Sequence, residues 1–190
     1  WTEIVRAGSW ANRHPVLAWL LLVEGMALLV LPLTLIIFRP LADRGYLFSK
    51  ALGLLAVGLL VWLLASLQWV PFTRGSIGLA MLLVVVLSTV ALVRGHRQIV
   101  DFVRTRWPII LTGELLFLLA FLSFVALRMA NPDLWHPWRG GEKPMELAYF
   151  NAVIRSTSLP PFDPWFSGGY LNYYYYGYFV LGGIVRVTGI

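Results

Sequence analysis

Long apolar stretches separated by short polar ones dominate the chain. The first runs from Pro15 to Phe38, the second from about Leu47 to Trp69, the third from about Ser76 to Val93, and the fourth from about Trp107 to Met129. At about 1.5 Å per helical residue, such stretches match the roughly 30 Å hydrocarbon core of a bilayer. The pattern predicts an all-α fold, a polytopic transmembrane helical bundle with four full spans.

A fifth apolar stretch begins at Tyr170 and continues to the last residue, Ile190. We therefore expect a truncated fifth span and a chain that is a fragment of a longer protein. Residues 130–169 form the longest polar segment, too long and too rich in Pro, Gly and Trp for a simple turn. Within it, residues 144–157 carry apolar side chains at a helical spacing, which predicts an interfacial helix lying along the membrane surface.

Two acids interrupt the apolar stretches. Glu24 lies near the middle of the first span, where a charge costs about 2.5–3.5 kcal/mol, so it should face the bundle. A hydrogen bond to another helix is the favoured interpretation, and a proton or ligand role is the alternative. Glu114, nearer a span end, is expected to snorkel or to pair with the preceding arginines. Gly53 and Gly58 predict close helix–helix approach.

Composition agrees with the membrane interpretation. The chain is 59% hydrophobic and 13% charged, against about 25% charged in soluble domains. Its net charge of +6 comes from basic residues placed between apolar stretches, where they set topology, so we expect membrane lipids and no nucleic acid as partners. The absence of cysteine excludes disulfides and cysteine metal sites, and three scattered histidines argue against zinc.

The basic residues also predict an orientation. Cytoplasmic connections carry an excess of Lys and Arg, and two connections are strongly basic. In the segment 130–169 the basic residues are balanced by acids, so we expect this loop to be extracytoplasmic, in a multi-pass protein of the plasma membrane. The residues that mark the cytoplasmic side are Arg39, Arg44, Lys50, Arg94, Arg97, Arg104 and Arg106.

The loop holds the candidate chemistry in three acids, Glu142, Glu146 and Asp163. Glu142 and Glu146 are four residues apart and share one face of a helix that starts near Pro144. Acids at a helix start are ordinary, because the N-terminus favours negative charge. The surrounding tryptophans and tyrosines are unusual for a plain connection and favour a binding or catalytic site.

A resemblance to a known family rests on the same stretch. The residues that carry it are Glu142-Lys-Pro-Met-Glu146, Asn151, Pro160-Pro-Phe-Asp-Pro-Trp165, Gly168-Gly169 and Asn172-Tyr-Tyr-Tyr-Tyr-Gly177, with a looser likeness at Pro32-Leu33 and Asp43-Arg-Gly-Tyr46. This block resembles an uncharacterised prokaryotic membrane family named for its YYY tyrosine run. That family is placed among the GT-C type glycosyltransferases, polytopic enzymes that use polyprenyl-phosphate sugars.

The resemblance implies a division of the chain and a set of roles. Residues 1–106 would be an N-terminal three-span region, and 107–190 the start of a GT-C-like core. One of the three acids would be the general base, with Glu142 the first choice. The cofactor is unknown, and a divalent cation is possible. The residues expected to bind substrate are Arg139, Lys143, Arg155, Asn151, Trp165, Asn172, Tyr173 and Tyr174.

Two other functions remain open from the sequence. In a transporter or channel subunit, Glu24 and Glu114 would be the working groups and the loop a lid. In a non-catalytic envelope scaffold, the acids would have no chemical role. Four consecutive tyrosines wrap all round a helix, so most of them are expected to form an interfacial belt rather than to line one pocket.

Overall fold

The computed structural model describes residues 4–132, 141 and 143–190. This part of the chain is helical, with only one isolated antiparallel bridge and no strand, which confirms the all-α prediction. Its helices are α1 (Trp10–Arg13), α2 (Pro15–Ile37), α3 (Ser49–Ser66), α4 (Arg74–Ala130), α5 (Lys143–Arg155) and α6 (Tyr176–Thr188).

Three of these helices, α2, α3 and α4, are long and apolar enough to cross a membrane, with mean hydropathy of 2.5, 1.8 and 2.6 in their most apolar windows. The first two match the first two predicted spans closely. Pro32 lies inside α2.

α4 differs from the prediction because it joins the third and fourth apolar stretches through the basic connection. It consists of two helical stretches, residues 74–105 and 107–130, that meet at a kink at Arg106. At about 1.5 Å per residue, each stretch is long enough to cross the hydrocarbon core. From the sequence, the basic connection at residues 94–106 between the third and fourth spans is expected to be a loop. This expectation is wrong, because the segment is helical and its only non-helical backbone is at Arg106 (φ −113°, ψ 15°). Residues 96–106 contain no Gly or Pro, so nothing stops the helix before Pro108. The number of spans stays a prediction.

The described residues form two compact units. Unit 1 takes residues up to Trp19, Leu55–Met81 and the described residues from 141 onward, while unit 2 takes Leu20–Leu54 and Leu82–Pro132. The predicted division at 106/107 coincides with the backbone break at Arg106. Whether that position separates two functional regions stays a prediction.

Unit 2 is built on close packing of α2 and α3. A Cβ atom added at Gly53 would lie 2.6 Å from the carbonyl carbon of Met26, so only glycine allows the two backbones to approach this closely. A separate apolar cluster joins Leu35 to Ile99 and Phe102, all buried. The predicted role of Gly53 in close approach is confirmed.

Unit 1 is built on the packing of α5 against α6. Tyr149, Val153 and Ile154 are the buried residues of α5, and a Cβ at Gly182 of α6 would lie 3.4 Å from Ile154 Cγ1. The helix predicted for 144–157 is therefore confirmed, but α6 covers much of the apolar face expected to lie on the membrane. Its position at the membrane surface stays a prediction.

The expected fifth span corresponds to α6, which begins at Tyr176 rather than Tyr170. Its 13 residues extend about 20 Å, less than the hydrocarbon core. Tyr175 and Tyr176 lie beside Trp62: Trp62 Nε1 donates to the Tyr175 hydroxyl at 3.1 Å, and the Tyr176 ring meets the Trp62 ring edge-on. These two tyrosines thus contact a helix of their own unit.

Candidate functional site

The proline-rich segment after α5 folds into a short hairpin-like loop. Phe162 and Tyr170 form an antiparallel bridge, and their rings stack at 5.1 Å between centroids. Leu171 N donates to Pro161 O at 2.8 Å and Asp163 N to Gly169 O at 3.0 Å. Gly168 has a left-handed backbone (φ +80°), which glycine adopts without strain. The loop therefore holds Asp163 on a fixed backbone.

The Asp163 side chain is half-buried at the start of this loop. Its Oδ1 accepts a hydrogen bond from Trp165 N at 2.8 Å, the short-range bond typical of aspartate in turns. Among the described residues, nothing hydrogen-bonds to Oδ2. One oxygen therefore fixes the carboxylate, and the other is left to accept a proton or a ligand hydrogen bond.

A cleft of 540 Å³ separates Asp163 from the polar face of α5. Along α5 its lining residues recur every three or four positions, so they share one helix face. This face is distinct from the buried one that packs on α6. The lining residues are Ala148, Asn151, Ala152, Arg155, Ser156, Phe162, Asp163 and Pro164.

Tyr149 lies close to the cleft on the buried side of α5. Burial raises the pKa of its phenol, and the negative charge of the Asp163 carboxylate raises it further. The Tyr173 ring is 5.5 Å from the Tyr149 ring. Tyr149 is therefore a neutral hydrogen-bond donor across the physiological pH range.

Three of the sequence-predicted site residues, Asp163, Asn151 and Arg155, line the cleft together. The other described ones are exposed and do not line it, although Tyr173 contacts Tyr149. Glu142 and Arg139 lie outside the described residues. The residues that do not line the cleft are Lys143, Glu146, Trp165, Asn172, Tyr173 and Tyr174.

The loop is attached to the connection between α3 and α4. Phe72 N donates to Thr157 O at 2.8 Å, and Gln68 Nε2 donates to Leu159 O at 2.7 Å. Arg186 Nη2 donates to Ser156 O at 2.7 Å, while its guanidinium lies 4.5 Å from the Phe72 ring centroid. The cleft wall at Ser156 is thereby tied to α6 and to the residues before α4.

Sequence reasoning missed the role of Arg186. It is buried, with 7% of its surface exposed, and no described residue is a hydrogen-bond partner for its Nε atom. Its only sequence signal is a single arginine in an apolar stretch, which membrane proteins retain for structural or functional reasons. It braces the cleft wall through Ser156.

Sequence reasoning also missed a cluster of charges in unit 2. Lys50 Nζ lies 2.7 Å from Glu24 Oε2 and 2.7 Å from Glu114 Oε1. The Tyr46 hydroxyl donates to the same Glu114 oxygen at 2.6 Å. The expected pairing of Glu114 with the preceding arginines is wrong, because Lys50 reaches it from α3. Glu24 has the interhelical partner that the favoured interpretation required.

This cluster borders a cavity of 340 Å³ whose walls are mostly apolar. Lys50 was counted above among the loop charges that mark the cytoplasmic side, yet its side chain is only 11% exposed. It is held instead between two carboxylates, with its Nζ 4.7 Å from the Phe117 ring centroid. The orientation of the chain stays a prediction that rests on the remaining arginines.

In the described part of the chain, no three His, Asp or Glu side chains come close enough together to hold a metal ion. The described residues therefore do not supply a set of ligands for the divalent cation that the resemblance allows. Glu142 is outside them, so the cation stays an untested expectation.

The chain was compared with family models, curated proteins and solved structures. Residues 56–190 match the family model described as Uncharacterized membrane protein (DUF2298). No curated protein and no solved structure matches the chain.

Proposed function

Because this chain belongs to the uncharacterised membrane protein family DUF2298, we propose that it works in the membrane as a glycosyltransferase of the GT-C type. It would transfer a sugar from a polyprenyl-phosphate donor at the extracytoplasmic face. The observation that carries the proposal is the cleft in which Asp163 faces Asn151 and Arg155. A carboxylate, an amide and a guanidinium around one space suit a sugar phosphate and an acceptor hydroxyl.

In this mechanism Asp163 is the general base. Its Oδ2 takes the proton of the acceptor hydroxyl as the acceptor oxygen bonds to the anomeric carbon. The bond between that carbon and the donor phosphate oxygen breaks, and polyprenyl phosphate leaves with the electron pair. Arg155 balances the charge of the leaving phosphate. Asn151 and the Phe162 ring bind the sugar through its hydroxyls and its apolar face.

The placement of the loop supports the proposed side of the membrane. The connection before α4, residues 67–73, contains no Lys or Arg, since Arg74 is the first residue of that helix, and it hydrogen-bonds to the loop through Phe72 and Gln68. Such a connection is expected outside the cytoplasm. The loop and this connection belong to one unit and would share that side.

The test uses the full-length protein reconstituted in lipid vesicles. The donors are a panel of radiolabelled monosaccharides linked to undecaprenyl phosphate. The assay measures the undecaprenyl phosphate that is released from them. We expect Asp163→Asn to lower the rate by roughly 10²- to 10⁴-fold, the usual range for a lost general base. Glu146→Gln is the matched control, because Glu146 is exposed on α5 and does not line the cleft; it should keep the wild-type rate.

Glu142 is tested in parallel because it was the first choice from the sequence. A loss confined to Glu142→Gln would move the base to that residue and contradict the assignment to Asp163. Wild-type rates in Asp163→Asn, Glu146→Gln and Glu142→Gln would leave sugar transfer without a general base and would contradict the proposal.

A second candidate function is favoured by the cluster around Lys50. Two intramembrane acids that meet beside a cavity are also what a transporter or channel subunit would need. In that case Glu24→Gln and Glu114→Gln should abolish ion flux into vesicles and leave sugar transfer unchanged. If both variants keep ion flux and sugar transfer, the cluster serves only the stability of the helical bundle.

A further inference from the structure

Unit 2 contains a second polar pocket, remote in sequence from the cleft of Asp163. It has a volume of 360 Å³ and is formed by the residues after α2 together with the stretch of α4 that precedes its break. Three of its lining residues are arginines: Arg39, Arg44 and Arg106. Asp101 is the only acid among its lining residues, so the pocket carries an excess of two positive charges.

These arginines are not neutralised by the protein around them. Within the described ranges, no carboxylate oxygen lies within 4.0 Å of any of the three guanidinium groups. Asp43 is close in sequence, but its two oxygens accept from Gly45 N at 3.1 Å and Leu47 N at 3.2 Å, which occupies it in the turn. Asp101 offsets one of the three positive charges, so the pocket keeps a net positive charge that favours an anionic ligand.

The arginines differ in how firmly they are held. Arg44 Nη1 donates to Gln98 O at 3.1 Å, and its guanidinium lies 5.3 Å from the Phe102 ring centroid. The side chains of Arg39 and Arg106 make no hydrogen bond to any other described residue. One guanidinium is thus fixed and two are free to donate, an arrangement that suits the several oxygens of a phosphate group.

The pocket lies where apolar helix surface ends. Ile37, the last residue of α2, is 65% exposed, and Trp107, directly after Arg106, is 59% exposed. Exposed apolar side chains next to a basic pocket match a ligand with a phosphate at one end and acyl chains at the other. Free phosphate would use the arginines alone and gain nothing from this surface.

We propose that Arg39, Arg44 and Arg106 bind the phosphate of an anionic membrane lipid, with its acyl chains along the exposed apolar surface beside the pocket. This site uses none of the residues assigned to sugar transfer. It is independent of that proposal. The proposed site also gives a role to the break at Arg106, because Arg106 is the last residue of α4 that lines the pocket.

The experiment titrates short-chain lipids into the full-length protein in detergent, with binding followed by calorimetry. The probes are dihexanoyl phosphatidylglycerol, its phosphatidylcholine counterpart and inorganic phosphate. We expect saturable binding of phosphatidylglycerol, with phosphatidylcholine and inorganic phosphate at least about tenfold weaker. Arg39→Gln and Arg106→Gln should each weaken phosphatidylglycerol roughly tenfold, the effect of one charged hydrogen-bond donor.

Arg104→Gln is the matched control. Arg104 lies two residues before Arg106, is exposed and does not line the pocket, so its loss should leave binding unchanged. The double variant Arg39→Lys, Arg106→Lys keeps the charge and protects against misfolding, and it should bind several-fold more weakly because lysine lacks the planar fork.

Four results would overturn the proposal. Binding of inorganic phosphate as strong as that of phosphatidylglycerol would make the site one for a free anion. An equal loss from Arg104→Gln would show diffuse surface charge rather than a pocket. Absence of saturable phosphatidylglycerol binding, or unchanged binding by the lysine variant and both glutamine variants, would remove the site altogether.

Discussion

Lys50 lies 2.7 Å from Glu24, a residue 26 positions earlier in the chain and on a different helix. The same ammonium contacts Glu114, so a single cation compensates two carboxylates. Charges inside membrane spans are costly unless they are paired. This one lysine therefore decides whether three helical segments of unit 2 can bring their polar residues together.

We expect Lys50→Met to destabilise the protein by about 3 kcal/mol, the lower end of the range for breaking a buried ion pair. The lower end applies because the two carboxylates are 31% and 32% exposed. Lys143→Met is the matched control, since the only other lysine is exposed on α5, and it should change stability by less than about 0.5 kcal/mol. Thermal unfolding of the full-length protein in lipid nanodiscs measures both.

Adding Glu24→Gln and Glu114→Gln to Lys50→Met should recover much of the lost stability, because it removes the uncompensated charges. A Lys50→Met protein as stable as Lys143→Met would show that the ion pairs contribute nothing to the bundle.

Gly53→Ala tests the contact between α2 and α3. The new methyl group would meet the backbone of Met26 rather than a flexible side chain, so the helices must separate, at a cost of about 1–3 kcal/mol. Gly25→Ala, one residue before Met26, has no atom within 4 Å of its added Cβ. It should be neutral or stabilising by up to about 1 kcal/mol from helix propensity. Denaturation midpoints in detergent give the comparison, and equal midpoints would contradict the close approach.

The pKa of Tyr149 predicts a pH dependence. Burial and the charge of Asp163 raise it above its usual value of 10.0, so above pH 10 the unfolded chain releases a proton that the folded chain retains. The free energy of unfolding should therefore fall as the pH rises through and above 10. Asp163→Asn should lower the Tyr149 pKa only in part, because burial is the larger cause.

Nuclear magnetic resonance of protein labelled on the tyrosine ring measures this titration, with Tyr149→Phe identifying the signal. A Tyr149 pKa that does not move in Asp163→Asn would show that the carboxylate does not face this phenol.

The sequence predicted the long helices well because their cause is local. An apolar run needs only its own length and the absence of breakers, and α2 and α3 follow from those alone. The continuation of α4 was missed because arginine-rich connections between spans are usually loops, although residues 96–106 contain no breaker. Helix propensity outweighed the polarity of that segment.

The sites were less predictable because they depend on contacts between distant segments. Asp163 was proposed as an acid of the loop, and Asn151 and Arg155 were proposed from the resemblance. Their common cleft, however, requires the hairpin-like loop to fold back on α5. Lys50 was assigned to a loop because its sequence neighbours suggest a span end. Its pairing with Glu114, 64 positions away, follows from helix packing, which no local pattern contains.

The arrangement of unit 1 along the chain constrains how the protein is made. Asn12 Nδ2 and Arg6 N both donate to Gly189 O, and the first of these bonds spans 177 positions. Unit 2 has its last segment once residue 132 leaves the ribosome, whereas the two ends of unit 1 meet only after residue 189 is synthesised. At about 5–20 residues per second that delay is roughly 3 to 11 seconds. Throughout that interval the N-terminal residues of the nascent chain lack this partner, so every segment of unit 2 is synthesised before unit 1 can close.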